Sequence, residues 1–322
     1  MTQQPGHDRE TARAGIRERL GPIVSGHLGT KSVVIVGLGS GGSQTAEALV
    51  RSGVERLVLI DPEDVEAANI SRSVYTPRDI GTPKTRALRQ RLTDINPLAE
   101  CETVTASLAD MPAAGIDSFV SAADLVIAAT DDPAAQRTLN HFAYRRGVPA
   151  VFAGMYARGH AGEVIFTVPG LTCCYSCATA VRHGDAAGQR QMDYGTGRLA
   201  AEPALGADIL HVVTASVKIA LALLEIVEEG DVPLRDFLMG ALNRRYNYLM
   251  LSTVPGYGFF PEIFASVPGQ YAYQSAWLIT TGDADCKVCG HDPADPLSVI
   301  HGGAPDLTRI LPAGPADLTR PD

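Results

Sequence analysis

The chain has 322 residues, which is enough for two average domains or for one large α/β unit. Its 27 basic and 36 acidic residues give a formal net charge of −9, which excludes the basic footprint of a general nucleic-acid-binding protein. Hydrophobic residues make up 45% of the chain and charged residues 20%, as in ordinary globular proteins, and no continuous apolar run suggests the ~20 residues that a membrane-spanning helix needs.

The N-terminal segment, residues 1–30, predicts a short helix rather than an export signal. Residues 9–20 form a basic helical pattern that ends at Gly21 and Pro22. The segment lacks the apolar core of a signal peptide, so we expect a cytoplasmic protein.

The first half of the chain alternates between buried strands and helices. Ser32–Val36 and Arg56–Ile60 are apolar runs without a polar/apolar alternation, which is typical of strands that are buried on both faces. Weaker strands are predicted at 102–105, 125–129 and near 151, and helices at 45–51, 84–95 and 133–146. This order predicts an α/β fold with a Rossmann-like, doubly wound, mostly parallel sheet.

The second half shows a different pattern. Residues 162–168 alternate and predict an antiparallel extension of the sheet, and the apolar stretch 209–227 predicts a largely buried helix. Residues 231–285 mix aromatic residues, glycine and proline, and we interpret them as strands and loops. The main domain is therefore expected over 31–291, followed by a proline-rich, disordered tail over 292–322.

A glycine-rich segment joins the first strand to the following helix. Its candidate binding residues are Gly37, Gly39, Ser40, Gly41 and Gly42. Glycines at this place allow a tight turn and a close backbone approach to phosphates, which bind at the positive end of a helix. Asp61 ends the second strand, where it could accept a hydrogen bond from a ribose hydroxyl. These features alone also fit an NAD-dependent oxidoreductase, or a turn without any ligand.

Three polar residues after Asp61 favour a triphosphate over a nicotinamide. They are Asn69, Arg72 and Lys84. Lys84 is predicted in the first turn of a helix, where the helix dipole disfavours a cation, and a bound polyphosphate would reverse that penalty. The alternative for Lys84 is an ordinary solvated lysine.

Two aspartates follow the next predicted strand. Asp132 precedes Pro133 and is interpreted as the N-cap of a helix. Asp131 is then placed at the carboxyl end of a parallel strand, where doubly wound folds bind their ligands. A carboxylate that faces a triphosphate is most simply a magnesium ligand.

The cysteines predict a metal site. Two Cys-x-x-Cys pairs, Cys174 with Cys177 and Cys286 with Cys289, have the spacing of a tetrathiolate zinc site. Zinc bound by both pairs would hold the C-terminal part of the domain against its middle. The alternative is a group of buried or redox-active thiols.

Six stretches in this order resemble the ThiF/MoeB adenylyltransferases, which are relatives of the ubiquitin-activating enzymes. They span residues 31–290 and read VGLGSGGS, LVLIDPEDVEAANISR, DIGTPK, ATDD, PGLTCCYSC and DCKVCG. The resemblance implies an enzyme that uses Mg²⁺ and ATP to adenylate the C-terminal glycine of a small ubiquitin-like protein ending in Gly-Gly. It also implies a homodimer.

The same resemblance assigns roles to individual residues. It implies that the glycine loop binds ATP together with Asp61, Asn69, Arg72 and Lys84. It further implies that Arg72, Lys84 and Asp131 are catalytic and that Asp131 holds magnesium. The N-terminal arginine that would reach the ATP of the partner subunit is not fixed by any motif, and four candidates remain: Arg9, Arg13, Arg17 and Arg19.

The sequence departs from the relatives that form a thioester. Those enzymes keep a reactive cysteine after the first zinc pair, whereas no cysteine lies between Cys177 and Cys286 here. Cys101 and Cys173 have positions that indicate structural roles. We therefore expect no thioester on this chain, and transfer of the acyl group to a downstream sulfur donor or conjugating protein.

Other activities stay open from the sequence alone. A related adenylating enzyme that acts on tRNA or on a peptide is the main alternative, although the zinc pairs argue against the tRNA-modifying dehydratases. Thiamin synthesis, molybdopterin synthesis and ubiquitin-like conjugation are equally compatible pathways. Neither a nucleic acid nor a membrane is expected as the partner.

Overall fold

The computed structural model describes residues 5–180, 203–226, 228, 232–258, 260–264 and 267–290. The tail predicted over 292–322 lies outside the described residues. The helices are α1 (Pro5–Leu20), α2 (Ser40–Arg51), α3 (Lys84–Ile95), α4 (Ala113–Ser121), α5 (Pro133–Arg145), α6 (Tyr175–Ala178), α7 (Gly206–Leu224), α8 (Pro233–Asn243) and α9 (Phe260–Phe264). The strands are β1 (Ser32–Val36), β2 (Arg56–Ile60), β3 (Glu100–Val104), β4 (Leu125–Ala128), β5 (Ala150–Met155), β6 (Ala161–Thr167), β7 (Tyr246–Ser252) and β8 (Gln274–Ile279).

The strands form one sheet of eight, in the order β3-β2-β1-β4-β5-β6-β7-β8. Strands β1 to β5 are parallel, and β6 to β8 continue the sheet in antiparallel pairs. The Rossmann-like, mostly parallel sheet and its antiparallel extension are therefore confirmed.

The apolar runs form strands because both of their faces are covered. Val33 and Ile35 on β1 pack into a core with α2, α3 and α7, whereas Val34 and Val36 pack into a second core with α4 and α5. All four side chains are 5% exposed or less. Strands with two apolar faces are expected in a parallel sheet covered by helices on both sides.

The interpretation of 231–285 as strands and loops is wrong in part, because this stretch also forms helices α8 and α9. In α8 the buried residues are Leu234, Leu238, Ala241 and Leu242, which recur at helical spacing, and Pro233 occupies the first turn. The glycines and aromatic residues that follow hid this short pattern. Helix α4 was not predicted, because its nine residues are too few for a clear period.

Helix α7 confirms the predicted apolar helix and lies in the core between the two kinds of strand. It contacts α2, β5 and β6, and its buried residues include Val212, Ile219 and Leu223. Among the described residues it is the one helix that is long and apolar enough to cross a membrane by length and composition, and 61% of its apolar window is buried inside the fold. Packing in the core accounts for its composition.

Candidate active site

The predicted nucleotide residues meet at the carboxyl edge of the parallel strands. Backbone hydrogen bonds join this edge: the Gly37 N–H donates to the Ile60 carbonyl at 2.9 Å, and the Ala129 N–H donates to the Val36 carbonyl at 2.8 Å. The segments after β1, β2 and β4 therefore leave the sheet side by side. This is the crevice in which open α/β sheets bind ligands.

Two glycines of the loop 37–42, here called the glycine loop, are required by close backbone approach. Gly37 has φ +87°, and a Cβ there would lie 2.6 Å from the Ala129 carbonyl oxygen. A Cβ on Gly42 would lie 1.8 Å from the Gly37 carbonyl oxygen. These contacts explain why no larger residue fits between β1 and α2 at either position.

The other two glycines of the loop face open space. A Cβ added to Gly39 or Gly41 would have no other atom within 4 Å. Gly39 is the N-cap of α2, and the N–H groups of the first turn of a helix have no partner within the helix. The glycine loop thus offers backbone donors, the positive end of a helix dipole and room for an anionic group.

Asp61 is buried beneath this loop and holds its backbone. One carboxylate oxygen accepts from the Leu38 N–H at 2.6 Å, and the other accepts from the Glu63 N–H at 2.8 Å. Burial raises the pKa of the Asp61 carboxyl, although both N–H donors and the charge of Lys84 oppose that rise. The role seen here is to shape the loop, and a ribose contact stays a prediction.

Lys84 is the first residue of α3 and is only 4% exposed. Its N–H donates to the Glu63 carbonyl at 2.9 Å, and its ammonium group pairs with the Glu63 carboxylate. The Glu63 side chain is 69% exposed. The structure therefore contradicts the alternative of a solvated lysine, since the side chain is buried at the edge that carries Asp61.

The segment Asn69 to Arg72 packs against the glycine-loop helix. The Arg72 carbonyl accepts a hydrogen bond from Gln44 Nε2 of α2 at 2.8 Å. Asn69 Oδ1 accepts from the Glu66 N–H at 2.8 Å, which closes a short turn. Asn69 thus has a structural contact of its own, and the segment brings Arg72 to the same side of the sheet as the glycine loop.

The two aspartates after β4 differ as predicted. Asp132 is the N-cap of α5, and its Oδ1 accepts from the Ala134 N–H at 2.8 Å. Asp131 is exposed, and its side chain makes no hydrogen bond or ion pair with the residues that the structure describes. An exposed carboxylate at the carboxyl edge is available to a cation, although such groups are also common without one.

The four predicted zinc ligands converge. The Sγ atoms of Cys174 and Cys286 are 3.7 Å apart, those of Cys177 and Cys289 are 3.5 Å apart, and all four lie within 4.8 Å of one another. Four Zn–S bonds of about 2.3 Å require sulfur separations of about 3.8 Å in a tetrahedron. The geometry of this cysteine cluster therefore fits zinc.

Neighbouring groups favour the thiolate form that a metal needs. The Asp283 N–H donates to Cys177 Sγ and the Val288 N–H donates to Cys286 Sγ, each at 3.4 Å. Hydrogen bonding with Cys289 lowers the pKa of the Cys174 thiol to about 5. Such outer contacts orient the ligands of structural metal sites.

The remaining cysteines lie in structural positions. Cys101 is on β3 opposite Leu57 near the amino ends of the strands, and burial raises its pKa to about 11. Cys173 Sγ lies 2.9 Å from Thr280 Oγ1, and burial also raises its pKa. Neither thiol is activated as a nucleophile in this conformation.

Two of the four N-terminal arginines have partners within the chain. Arg13 donates to both carboxylate oxygens of Glu55, at 3.0 and 2.8 Å, and Arg17 donates to the Gly26 carbonyl. Arg19 is exposed. In this conformation Arg13 and Arg17 support the chain itself.

Sequence patterns did not reveal Tyr75, which supports the site from behind. Its hydroxyl donates to the Leu38 carbonyl at 2.7 Å, and the residue is 4% exposed. Tyr75 thus holds the same loop residue that Asp61 binds through its N–H. A single tyrosine in a loop gives no periodic signal by which it could have been found.

The comparisons agree with this geometry. A model of the ThiF family matches residues 16–277. Ubiquitin-like modifier-activating enzyme 5 is 32% identical to the chain over 157 residues in Oryza sativa subsp. japonica and over 159 residues in Drosophila melanogaster. These matches cover 46% of this chain and 37% and 39% of the relatives, so the chain spans about two fifths of their length.

Solved structures share the fold at low identity. Escherichia coli MccB, crystallised with ATP, superposes with a TM-score of 0.57 at 18% identity and covers 82% of this chain and 68% of its own. The Microcin C7 biosynthetic enzyme MccB, in complex with N-formylated MccA, gives a TM-score of 0.59 at 17% identity, covering 89% and 77%. Because the family model spans most of the sequence and the fold agrees, the chain belongs to the ThiF family.

Proposed function

We propose that this protein is an adenylyltransferase that uses Mg²⁺ and ATP to activate the C-terminal glycine of a small ubiquitin-like protein. One observation carries the proposal: an open glycine loop at the start of α2 shares the carboxyl edge of the sheet with buried Lys84 and exposed Asp131. Its relatives named ubiquitin-like modifier-activating enzyme support the choice of partner.

The chemistry requires no nucleophile from the protein. A carboxylate oxygen of the substrate attacks the α-phosphorus of ATP, the bond to the β-phosphate oxygen breaks, and acyl-adenylate and pyrophosphate result. The glycine loop and the start of α2 would hold phosphate oxygens, and Lys84 and Arg72 would neutralise their charge. Magnesium held by Asp131 would further compensate the charge of the triphosphate.

Further parts of the proposal come from the family resemblance. They are a homodimer, a cytoplasmic location, zinc in the cysteine cluster, and release of the acyl-adenylate to a sulfur donor or conjugating protein. A peptide is the second candidate substrate, because structures with this fold include a microcin biosynthetic enzyme solved with MccA.

The deciding experiment is ATP–pyrophosphate exchange with a panel of Gly-Gly-terminated ubiquitin-like proteins and of peptides. We expect exchange that needs Mg²⁺ and a free C-terminal carboxylate, and a loss of at least about 100-fold in Asp131→Ala and Lys84→Ala. Asp110→Ala is a matched control, because it removes a carboxylate from the loop after β3 and should leave exchange unchanged. Normal exchange in Asp131→Ala would contradict the assignment of that residue.

The same reaction, run on a non-reducing gel, tests the absence of a thioester. The proposal predicts that the Cys101→Ser/Cys173→Ser double variant keeps the wild-type rate of adenylation. It also predicts no reductant-sensitive adduct on the wild-type chain. An adduct that the double variant loses would place the protein among the thioester-forming enzymes.

A further inference from the structure

A line of buried hydrogen bonds joins the loop that carries Asp131 to the cysteine cluster. Gln136 of α5 donates from Nε2 to the Thr130 carbonyl at 2.8 Å, and the Tyr175 hydroxyl donates to Gln136 Oε1 at 2.8 Å. Gln136 is 4% exposed and Tyr175 is 8% exposed. Both ends of one side-chain amide are therefore used between two regions that are far apart in the sequence.

Tyr175 is fixed at the other end of this line by the cysteine cluster. It directly follows Cys174, and its N–H donates to Asn140 Oδ1 at 2.8 Å. Its ring stacks on Phe152 with a centroid separation of 4.2 Å. The Tyr175 hydroxyl thus points at Gln136 because backbone, ring and adjoining ligand are each held in place.

The Thr130 carbonyl belongs to the peptide unit that Asp131 continues. The direction of that carbonyl therefore sets the direction in which the Asp131 side chain leaves the backbone. Thr130 Oγ1 also accepts from the Asp132 N–H at 3.1 Å, so the turn is held on the other side as well.

We propose that Gln136 is a positioning residue for Asp131, and that Tyr175 couples this positioning to the cysteine cluster. The inference rests on the proposed function. Gln136 and Tyr175 touch neither nucleotide nor metal, and they act by keeping one carboxylate oriented toward the cation that accompanies ATP. Occupation of the cysteine cluster by zinc would then support the nucleotide site.

The test is the magnesium dependence of ATP–pyrophosphate exchange in Gln136→Leu, Tyr175→Phe and the double variant. Loss of one buried hydrogen bond predicts a half-saturating Mg²⁺ concentration raised about 5-fold in Gln136→Leu, and less in Tyr175→Phe. The double variant should be no worse than Gln136→Leu, because both changes break the same line. Calorimetric titration with ATP, with and without Mg²⁺, should show the same shift only when Mg²⁺ is present.

Tyr144→Phe is the matched control. The Tyr144 hydroxyl donates to the Thr172 carbonyl at 2.6 Å and packs beside the same cysteines, but it has no printed link to Thr130 among the described contacts. It should leave the magnesium dependence unchanged, and zinc content should stay at about one per chain in Tyr175→Phe.

The outcomes separate the two proposals. Active wild-type protein whose magnesium dependence is unchanged by both Gln136→Leu and Tyr175→Phe would overturn the inference and leave the proposed function intact. Additive effects would overturn the coupling, since the two residues would then act separately. Wild-type protein without Mg²⁺-dependent binding or exchange would overturn the proposed function, and the inference with it.

Discussion

Strands β1 to β5 and strands β6 to β8 belong to one sheet but are stabilised differently. In β1 four consecutive residues are 5% exposed or less, whereas β8 at the other edge has one buried residue, Gln274, and an end at Ile279 that is 57% exposed. Apolar burial on two faces stabilises the first region. The second region adds the cysteine cluster, which joins the end of the domain to the start of α6.

Function divides along the same line. The glycine loop, Asp61, Lys84 and Asp131 all follow strands of the parallel region, because only parallel strands place their carboxyl ends at one edge. The antiparallel region contributes polar contacts that are internal, such as the buried Glu163, which accepts from the hydroxyls of Tyr156 and Tyr248. The comparison shows that chemistry and metal-based stability reside in different parts of one core.

The strongest way to break this comparison is to remove a metal ligand. Cys289→Ser should lose zinc and destabilise the fold, since the cluster closes a loop of roughly 100 residues, which is equivalent to about 4–5 kcal/mol in a chain-entropy model. Hydrogen exchange should increase first in β7 and β8, while β1 and β2 stay protected. Elemental analysis, calorimetry and exchange mass spectrometry measure these effects.

Cys101→Ser is the control for that experiment. It removes a partly buried thiol from β3, away from the cluster, and should retain zinc. Equal loss of protection in β1 and in β8 after the change at Cys289 would show that the two regions unfold as one unit.

A second prediction separates packing from ligand space within the parallel region. Gly42→Ala would place a methyl group 1.8 Å from a backbone oxygen and should cost about 2–3 kcal/mol or more. Gly41→Ala meets nothing within 4 Å and lies in a helix, where alanine is favoured by about 1 kcal/mol. Urea unfolding should therefore show opposite changes in stability.

Binding of ATP gives the complementary result for the same pair. Gly41→Ala should weaken ATP binding in a protein of wild-type or higher stability, because its methyl group would occupy the space in front of the loop. Unchanged ATP affinity in Gly41→Ala would argue against a phosphate at this place.

The smallest expected effect concerns pH and the N-terminal segment. Glu225 at the end of α7 is fully buried and accepts from the Ser25 N–H and hydroxyl, each at 3.1 Å. Burial raises its pKa above the ordinary glutamate value, so the folded state retains the proton longer than the unfolded state does. Stability from this group is present at low pH and is lost as pH rises through that raised pKa.

Glu225→Gln should remove this component. Urea midpoints measured from pH 4 to 8 should fall less steeply with rising pH in the variant than in the wild type, with a difference of about 1 kcal/mol or less. Glu228→Gln is the contrasting control: the pKa of Glu228 is lowered overall, although burial opposes this, by its hydrogen bonds with His27 and Lys31. Its variant should lose stability chiefly above the ordinary glutamate pKa.

Local patterns predicted much of the parallel region. Ser32–Val36 and Arg56–Ile60 form strands with the predicted bounds, because a run buried on both faces leaves a continuous apolar signal. The N-cap of Asp132 could also be predicted, since it depends on the residue itself and on Pro133. In the antiparallel region α8 was missed, since its short apolar stripe lies among aromatic residues and glycines.

The sequence by itself determined the family, the parallel sheet, the glycine loop and the pairing of two Cys-x-x-Cys motifs, because each leaves a signal in consecutive residues. Tertiary structure alone decided that Asp61 and Tyr75 hold opposite sides of the Leu38 peptide unit, and that Lys84 is buried beside Glu63. It also decided that Gln136 joins Thr130 to Tyr175. These contacts are single hydrogen bonds between distant segments, and their directions depend on packing that no local pattern records.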